Sequence, residues 1–291
     1  MKDIKALEKE YIRKCISSHP ILLSKGSEQT GVVRTIEAIL GMYCQNEERQ
    51  EAEEMVWQGI HPDLILYDGR ELSAEDARNL RQFATSCPAN WDRRFVIISY
   101  IHRPHYVVMP ILLKLIEEPP DHFSMIITTS NERRVLPTIL SRSLQLKIHP
   151  SDETEIRWWL SRLGKDEDDL RIRACGGDLN IAENMDLPII KEWYRDWSAV
   201  LVGSDFKKSF LATWTGRLEE ASESTQIACW GLLVQMVAAV LSRNRFWVEV
   251  GLVGMEARNT TQNGFMNKML SSTLLFKTYA IAKVILTRGK L

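Results

Sequence analysis

The sequence has no pair of cysteines two residues apart, no apolar run long enough to cross a bilayer, and almost no net charge. Each absence removes a class of protein. Five cysteines (Cys15, Cys44, Cys87, Cys175 and Cys229) are scattered at irregular spacing, which argues against a disulfide framework and a structural zinc site. They read as reduced thiols, mostly buried, of a cytoplasmic protein. The longest apolar run, residues 230–241, is broken by Gln235 and falls short of the roughly 20 residues a membrane helix needs. The first fifteen residues carry charges throughout and hold no apolar segment of the signal-peptide type. Lys and Arg number 37 against 38 Asp and Glu, a net charge of -1, so no general polyanion-binding surface is expected. The six histidines form no HxxxH or HExxH spacing, and no metal site is expected. His102 and His105 flank Arg103 in what reads as an exposed loop.

What is present is an ordinary globular composition, 45% hydrophobic over 291 residues, enough for two or three domains. Up to residue 149 the pattern alternates. Helical spacing over 5–17 is followed by a buried-type strand at 21–23, a polar turn over 26–31, and a helix over 32–42. Residues 44–58 read as a solvated acidic helix. Strands follow at 64–67, 95–98, 125–129 and 144–148, with a helix after Ser73, a plausible N-cap three residues before Asp76. Pro110 sets the start of a further helix. Strands alternating with helices imply a mostly parallel sheet covered on both faces. After His149-Pro150-Ser151-Asp152 only helical spacing remains, over 152–163, 166–174, 180–183, 188–201, 206–219, 224–241 and 267–288. Trp193, Trp197, Trp214 and Trp230 fall in these segments and read as core more readily than as interface.

Two places carry chemistry. Gly26-Ser27-Glu28-Gln29-Thr30-Gly31-Val32-Val33 sits between a strand and a helix with the glycine spacing of a phosphate-binding loop, GxxxxGK[ST]. The lysine that would pair with phosphates is Val32, and the hydroxyl that would hold magnesium is Val33. The other place is residues 112–143, LLKLIEEPPDHFSMIITTSNERRVLPTILSRS.

This block resembles the core of the bacterial clamp-loader subunits, AAA+ proteins that open the sliding clamp for the replicative polymerase, DNA polymerase III. His61-Pro62-Asp63 and Arg78-Asn79-Leu80-Arg81-Gln82 match further family motifs, and the resemblance is firm from residue 22 to 148. It implies an α/β AAA+ P-loop-type domain over 1–149, a small helical lid over 150–187 and an all-α collar over 188–291. Active members end the third strand in Asp-Glu, where this chain has Ser99-Tyr100. Asn180 stands near the place of the lid arginine that senses phosphate, and Thr128 and Thr129 where the fourth strand carries a phosphate-sensing polar residue. Cys44 stands alone where relatives carry four zinc-binding cysteines, and Ser143 replaces the cysteine of Ser-Arg-Cys. The pattern fits the delta-prime type of subunit, with no working nucleotide site and no cofactor. The resemblance then implies that Arg142, in Ser141-Arg142-Ser143, reaches a neighbouring subunit's ATP in a hetero-oligomer of motor and delta-type subunits. The sliding clamp and primer-template DNA would be met through the complex, and no membrane would be involved. A motor subunit of the same machine, or a degenerate AAA+ adaptor outside replication, are the alternatives. The mildly basic stretch 277–290 reads as a solubilising terminus.

Overall fold

The computed structural model describes residues 4–101, 108–201, 209–241 and 248–262, with residues 273–275, 277–278 and 280–282 of the C-terminal stretch. The segment around His102 and His105, the start of the helix expected from 206, and most of those expected over 267–288 and 277–290 lie outside the described residues. The chain divides into two compact units, Met1–Pro150 and Ser151–Leu291.

The first unit is built on five parallel strands: β1 (Ile21–Lys25), β2 (Leu64–Asp68), β3 (Arg94–Ser99), β4 (Phe123–Thr129) and β5 (Leu144–Lys147), in the order β2-β3-β4-β1-β5. Ile21 pairs with Met125, Val96 with Met125, and Leu22 with Leu144. Successive side chains leave opposite faces of a strand, so each strand feeds two cores. Leu23, Val96, Ile98, Met125 and Ile127 pack with Ala77 and Leu80 of α4 (Ala74–Thr85) and Leu112 and Ile116 of α5 (Met109–Glu117). Leu22, Phe95, Ile97 and Ile126 pack with Ile12 and Ile16 of α1 (Ile4–Ser18), Ile36 and Ile39 of α2 (Glu28–Tyr43), and Ala52 and Val56 of α3 (Asn46–Trp57). The expected parallel sheet, covered on both faces, is therefore present. Pro110 lies in the first turn of α5, as expected. Ser73 and Asp76 form a reciprocal cap, Asp76 N–H donating to Ser73 Oγ at 3.1 Å and Ser73 N–H to Asp76 Oδ2 at 2.9 Å.

Two expectations are corrected. The polar turn over 26–31 is helical from Glu28, because Ser27 caps α2 by accepting from Thr30 N–H. The acidic helix over 44–58 is not solvated all round, because Ala52 and Val56 are buried against the sheet.

His61-Pro62-Asp63 has a structural role. The fully buried Asp63 carboxylate accepts backbone N–H bonds from Ala89 (2.7 Å), Asn90 (2.6 Å) and Trp91 (2.9 Å). The Arg94 guanidinium lies 3.7 Å away. His61 packs tilted against Trp91, its ring centroid 4.3 Å distant, and accepts at Nδ1 from Asp63 N–H. Burial pushes the His61 imidazole below its ordinary pKa, while nearby Asp63 works against that shift. The motif thus fixes the loop that delivers the chain into β3.

The last helix of the first unit is α6 (Pro137–Leu140). In the second unit every regular element among the described residues is helical: α7 (Glu153–Arg162), α8 (Asp169–Cys175), α9 (Leu179–Asn184), α10 (Leu187–Leu201), α11 (Ser209–Glu220), α12 (Glu223–Leu241) and α13 (Val248–Gln262). The last was not legible as a helix. It packs along α12 through Gly251 and Gly254, where an added Cβ would lie 3.4 and 3.1 Å from Val237 and Val234. Trp193 is the centre of a fully buried aromatic cluster. Trp214, Trp230 and Trp197 surround it at 4.9, 5.5 and 5.7 Å, the first two edge to face. Such pairs contribute about 0.5–1.5 kcal/mol each beyond their buried area. These tryptophans are core, as their spacing suggested.

Replacing Asp63 by Ala is expected to leave three loop amides without their shared acceptor and to cost about 3 kcal/mol. Urea unfolding of the two proteins, followed by circular dichroism, measures the difference; a loss below about 0.5 kcal/mol would show that the carboxylate does not hold the loop.

Candidate functional site

In parallel α/β sheets, ligands are received outside the carboxyl ends of the strands. Here β1, β3 and β4 end at Lys25, Ser99 and Thr129. The turn after β1 is tightly fixed. Gly26 adopts φ 143° and donates its N–H to the Thr129 carbonyl at 3.0 Å. A Cβ on Gly26 would lie 2.8 Å from the Ile148 carbonyl oxygen, so both conformation and space require glycine. Gly31 faces Ser24, whose Oγ would lie 2.7 Å from an added Cβ. The shape of a phosphate-type turn is therefore kept.

Its charge is not. Val32 and Val33 are buried, and Val32 belongs to the core between the sheet and α1. Lys25, at the end of β1, and Arg34, on α2, are both engaged. Lys25 Nζ contacts Glu132 Oε1 at 2.9 Å and Gln145 Oε1 at 3.0 Å. Arg34, 1% exposed, is ion-paired with the buried Glu8, and donates to the Pro150 carbonyl at 3.4 Å. Glu8 also accepts from His149 N–H at 3.0 Å, which ties α1 to the end of the unit.

The spacing of the motif did not reveal Glu28. It is the first residue of α2, 4% exposed, and its Oε1 accepts from Ser130 N–H at 2.7 Å. In sequence it reads as one more polar residue of a turn. Its partner lies 102 residues away.

At the end of β3 the space is also filled. Ser99 and Tyr100 are buried; Ser99 Oγ donates to the Tyr67 carbonyl at 3.4 Å. Tyr100 has φ 52°, uncommon for a bulky residue. The Arg70 guanidinium covers its ring at 3.9 Å and is itself held by Asp68 at 2.6 Å. Gly69 N–H donates to the Ser99 carbonyl at 2.8 Å, and a Cβ on Gly69 would lie 2.6 Å from that oxygen.

Thr128 and Thr129 are buried at the end of β4, and Thr129 Oγ1 accepts from Asn131 N–H at 3.1 Å. Asn180 lies in α9 of the other unit, its side chain bonded to Asn184 at 3.0 Å.

Arg142 lies apart from this filled turn, just after α6. Ser141 Oγ donates to the Thr138 carbonyl and Ser143 Oγ to the Ile139 carbonyl. Both serines help close α6, Ser141 Oγ also accepting from Arg142 Nη1 at 3.5 Å, and the arginine's side chain is 42% exposed. It is tethered lightly, to the Thr138 carbonyl at 3.3 Å and to Glu117 Oε1 at 3.3 Å. Glu117 ends α5, and Pro119-Pro120 follows, the Pro120 carbonyl accepting from Phe123 N–H at the start of β4. The EEPP and SRS motifs therefore meet in space. Among the described residues no three His, Cys, Asp or Glu side chains are grouped to hold a metal ion.

Residues 2–152, just over half of the chain, match the family model of the DNA polymerase III delta subunit. The chain belongs to this family. The resemblance carried by residues 112–143 is thereby confirmed at the level of the clamp-loader AAA+ proteins. The tau subunit of DNA polymerase III from Escherichia coli K12 is 32% identical over 111 residues, 38% of this chain and 17% of tau. The gamma subunit from Buchnera aphidicola subsp. Baizongia pistaciae is 33% identical over 102 residues, 35% of this chain and 28% of gamma. The match therefore spans less than a third of these relatives' length. Among solved structures, a gamma-subunit-related protein from Thermotoga maritima aligns with a TM-score of 0.46 at 16% identity, covering 98% of this chain and all of that one. The clamp-loader delta protein of Bacillus subtilis aligns with a TM-score of 0.39 at 13% identity, covering 94% of this chain and 87% of that one.

For this delta-family chain the tightest point of the site is Gly69. Gly69→Ala is expected to push the Ser99 and Tyr100 backbone aside and to cost about 2 kcal/mol, read as a lower urea midpoint. An unchanged midpoint would mean that the ends of β2 and β3 yield freely.

Proposed function

We propose that this chain is a non-hydrolysing, delta-prime-like subunit of the DNA polymerase III clamp loader. It lends Arg142 to the ATP site of a neighbouring motor subunit. One observation carries the reading: Val32 and Val33, which stand where a phosphate-pairing lysine and a hydroxyl would be, are buried, while the arginine after α6 is exposed and only lightly held. A guanidinium is permanently charged and offers a planar fork to phosphate oxygens. Supplied in trans to a phosphoryl transfer, such a group contributes about 10³–10⁵ in rate at the site it serves. Glu117, 3.3 Å away, holds Arg142 near the surface until a stronger anion competes for it.

In this reading the chain needs no nucleotide and no metal of its own. Its partners are motor and delta-type subunits in a hetero-oligomer, and the sliding clamp and primer-template DNA are engaged through that complex in the cytoplasm. The helical end divides into a lid over 150–187 and a collar over 188–291 that supplies most of the assembly contact. Because Trp193, Trp197, Trp214 and Trp230 are core, the collar contact is made by other residues. No helix among the described residues is long and apolar enough to cross a membrane. The motor-subunit alternative is disfavoured by Val32, Val33, Ser99 and Tyr100, which offer neither a phosphate-pairing cation nor a magnesium ligand of the expected kind. An adaptor outside replication differs only in partners, and a pull-down from the native cell separates it.

Two measurements test the proposal. Isothermal titration of the purified chain with Mg-ATP is expected to give no magnesium-dependent binding in the micromolar range; binding there would reinstate the motor reading. In the reconstituted complex, Arg142→Ala is expected to leave assembly intact and to reduce the ATPase rate modestly, because other sites keep their own arginines, with a larger loss in clamp loading. Arg142→Lys should rescue poorly, because an ammonium lacks the fork. ATPase and loading both unchanged in Arg142→Ala would reduce Arg142 to a solvated turn residue.

A further inference from the structure

We infer that Leu136 is the apolar contact that seats Arg142 on the neighbouring motor subunit, the outer side of α6 docking there as one surface. The inference rests on the proposed trans role of Arg142 and names the part of the chain that places it. An arginine lent across an interface acts only if its fork arrives in register, since a misplacement of about 1 Å can cost about 10²-fold in rate. The bonds that hold Arg142 within its own chain are long, 3.3 Å to the Thr138 carbonyl, 3.5 Å to Ser141 Oγ and 3.3 Å to Glu117. Placement against the neighbour therefore has to come from the surface beside it.

The segment leading to the arginine has an inner and an outer side. Val135 and Ile139 are buried in the core that α4 and α5 cover, and Leu140 packs against it. Leu136 is 41% exposed, with Pro137 and Thr138 exposed next to it. Local folding does not favour this leucine. It stands at the N-cap of α6, where Ser, Thr, Asp or Asn accepts a backbone N–H, and its side chain makes no such bond. Nor does it gain the stabilisation of burial within its own chain. It lies one turn from the cation. Ile139 and Leu140 N–H donate to the Leu136 carbonyl at 2.9 and 3.2 Å, and Arg142 Nη1 folds back to the Thr138 carbonyl. Pro137, at the first helical position with its fixed φ, stiffens that link. Arg133, exposed in the 3₁₀ turn Glu132–Arg134, precedes the leucine as Arg142 follows it. A surface that complements this one is apolar opposite Leu136 and anionic beside it, as the rim of an ATP-filled site is. An apolar centre accompanied by arginine is also the usual make-up of a protein interface.

The test uses the full chain, alone and in the reconstituted complex, with Leu136→Ser, Leu136→Met, Arg142→Ala and the double variant Leu136→Ser with Arg142→Ala. Serine restores a capping oxygen, so the Tm of the Leu136→Ser chain is expected to be unchanged or raised. Its complex should nevertheless lose as much clamp loading as that of Arg142→Ala. The double variant should load no worse than Arg142→Ala alone, because the two residues act as one. Leu136→Met, which keeps an apolar side chain, should retain most of the loading. A lowered Tm in Leu136→Ser would assign the leucine to the fold and overturn the inference. Wild-type loading in Leu136→Ser beside impaired Arg142→Ala would also overturn it, while leaving the trans arginine standing. A double variant clearly worse than either single would make Leu136 a contact independent of the arginine, again against the inference. Wild-type loading and ATPase in Arg142→Ala is the separate result that sinks the parent reading.

Discussion

Parallel pairing of β1 with β4 is the constraint on which the site depends. Because Ile21 pairs with Met125 and Lys25 with Thr129, both strands end at the same level. Parallel strands also send their carboxyl ends to one edge of the sheet. The turn after β1 therefore has to pass beside the end of β4, and Gly26 is the residue that permits it. Its φ and its 2.8 Å clearance from the Ile148 carbonyl leave room for no side chain. Every later feature follows from that crowding: the early start of α2, the burial of Val32 and Val33, and the reach of Glu28 to Ser130. The sheet's geometry therefore fixes the turn, whatever the turn does besides.

The edge has been filled from each strand in a different way. At β1 the two valines are buried and Glu28 bonds to Ser130 N–H. At β3 the filling is aromatic, Tyr100 lying under Arg70, with the guanidinium held in turn by Asp68. On the same unit Arg34 is buried in an ion pair with Glu8. A buried ion pair adds little net stability compared with apolar packing, but breaking one is costly. Such pairs favour a fixed arrangement over a tight one. Arg142 is the counterexample on the same unit, since its partner Glu117 is exposed and the contact is long at 3.3 Å.

The alternating part of the chain was legible because strands and amphipathic helices advertise themselves by period. All five strands and the helices from α1 to α5 lie within a few residues of the positions read from spacing. Ser73 was legible as a cap because its partner is three residues away. The residues that fill the site were not. Glu8 was not singled out, Glu28 read as part of a polar turn and Asp63 as part of a motif; each is buried with a partner 26 or more residues distant. Helix α13 was missed for a different reason. It approaches α12 through glycines and carries Thr260 and Thr261, so it presents neither a strong propensity nor an apolar stripe. The turn over 26–31 was legible as the link between β1 and the next helix; the reach of Glu28 across it to Ser130 was not.

The tryptophan cluster of the second unit has an optical consequence. Trp193 couples edge to face with Trp214 and Trp230 inside a dry core, whereas the first unit contributes only Trp57 and Trp91 to the nine tryptophans of the chain. Indoles held rigidly this close exchange excitation and split one another's absorption. Near-ultraviolet dichroism and tryptophan emission are therefore dominated by the helical end. A fluorescence trace of this protein is therefore weighted towards that half, and the sheet is better followed by another probe.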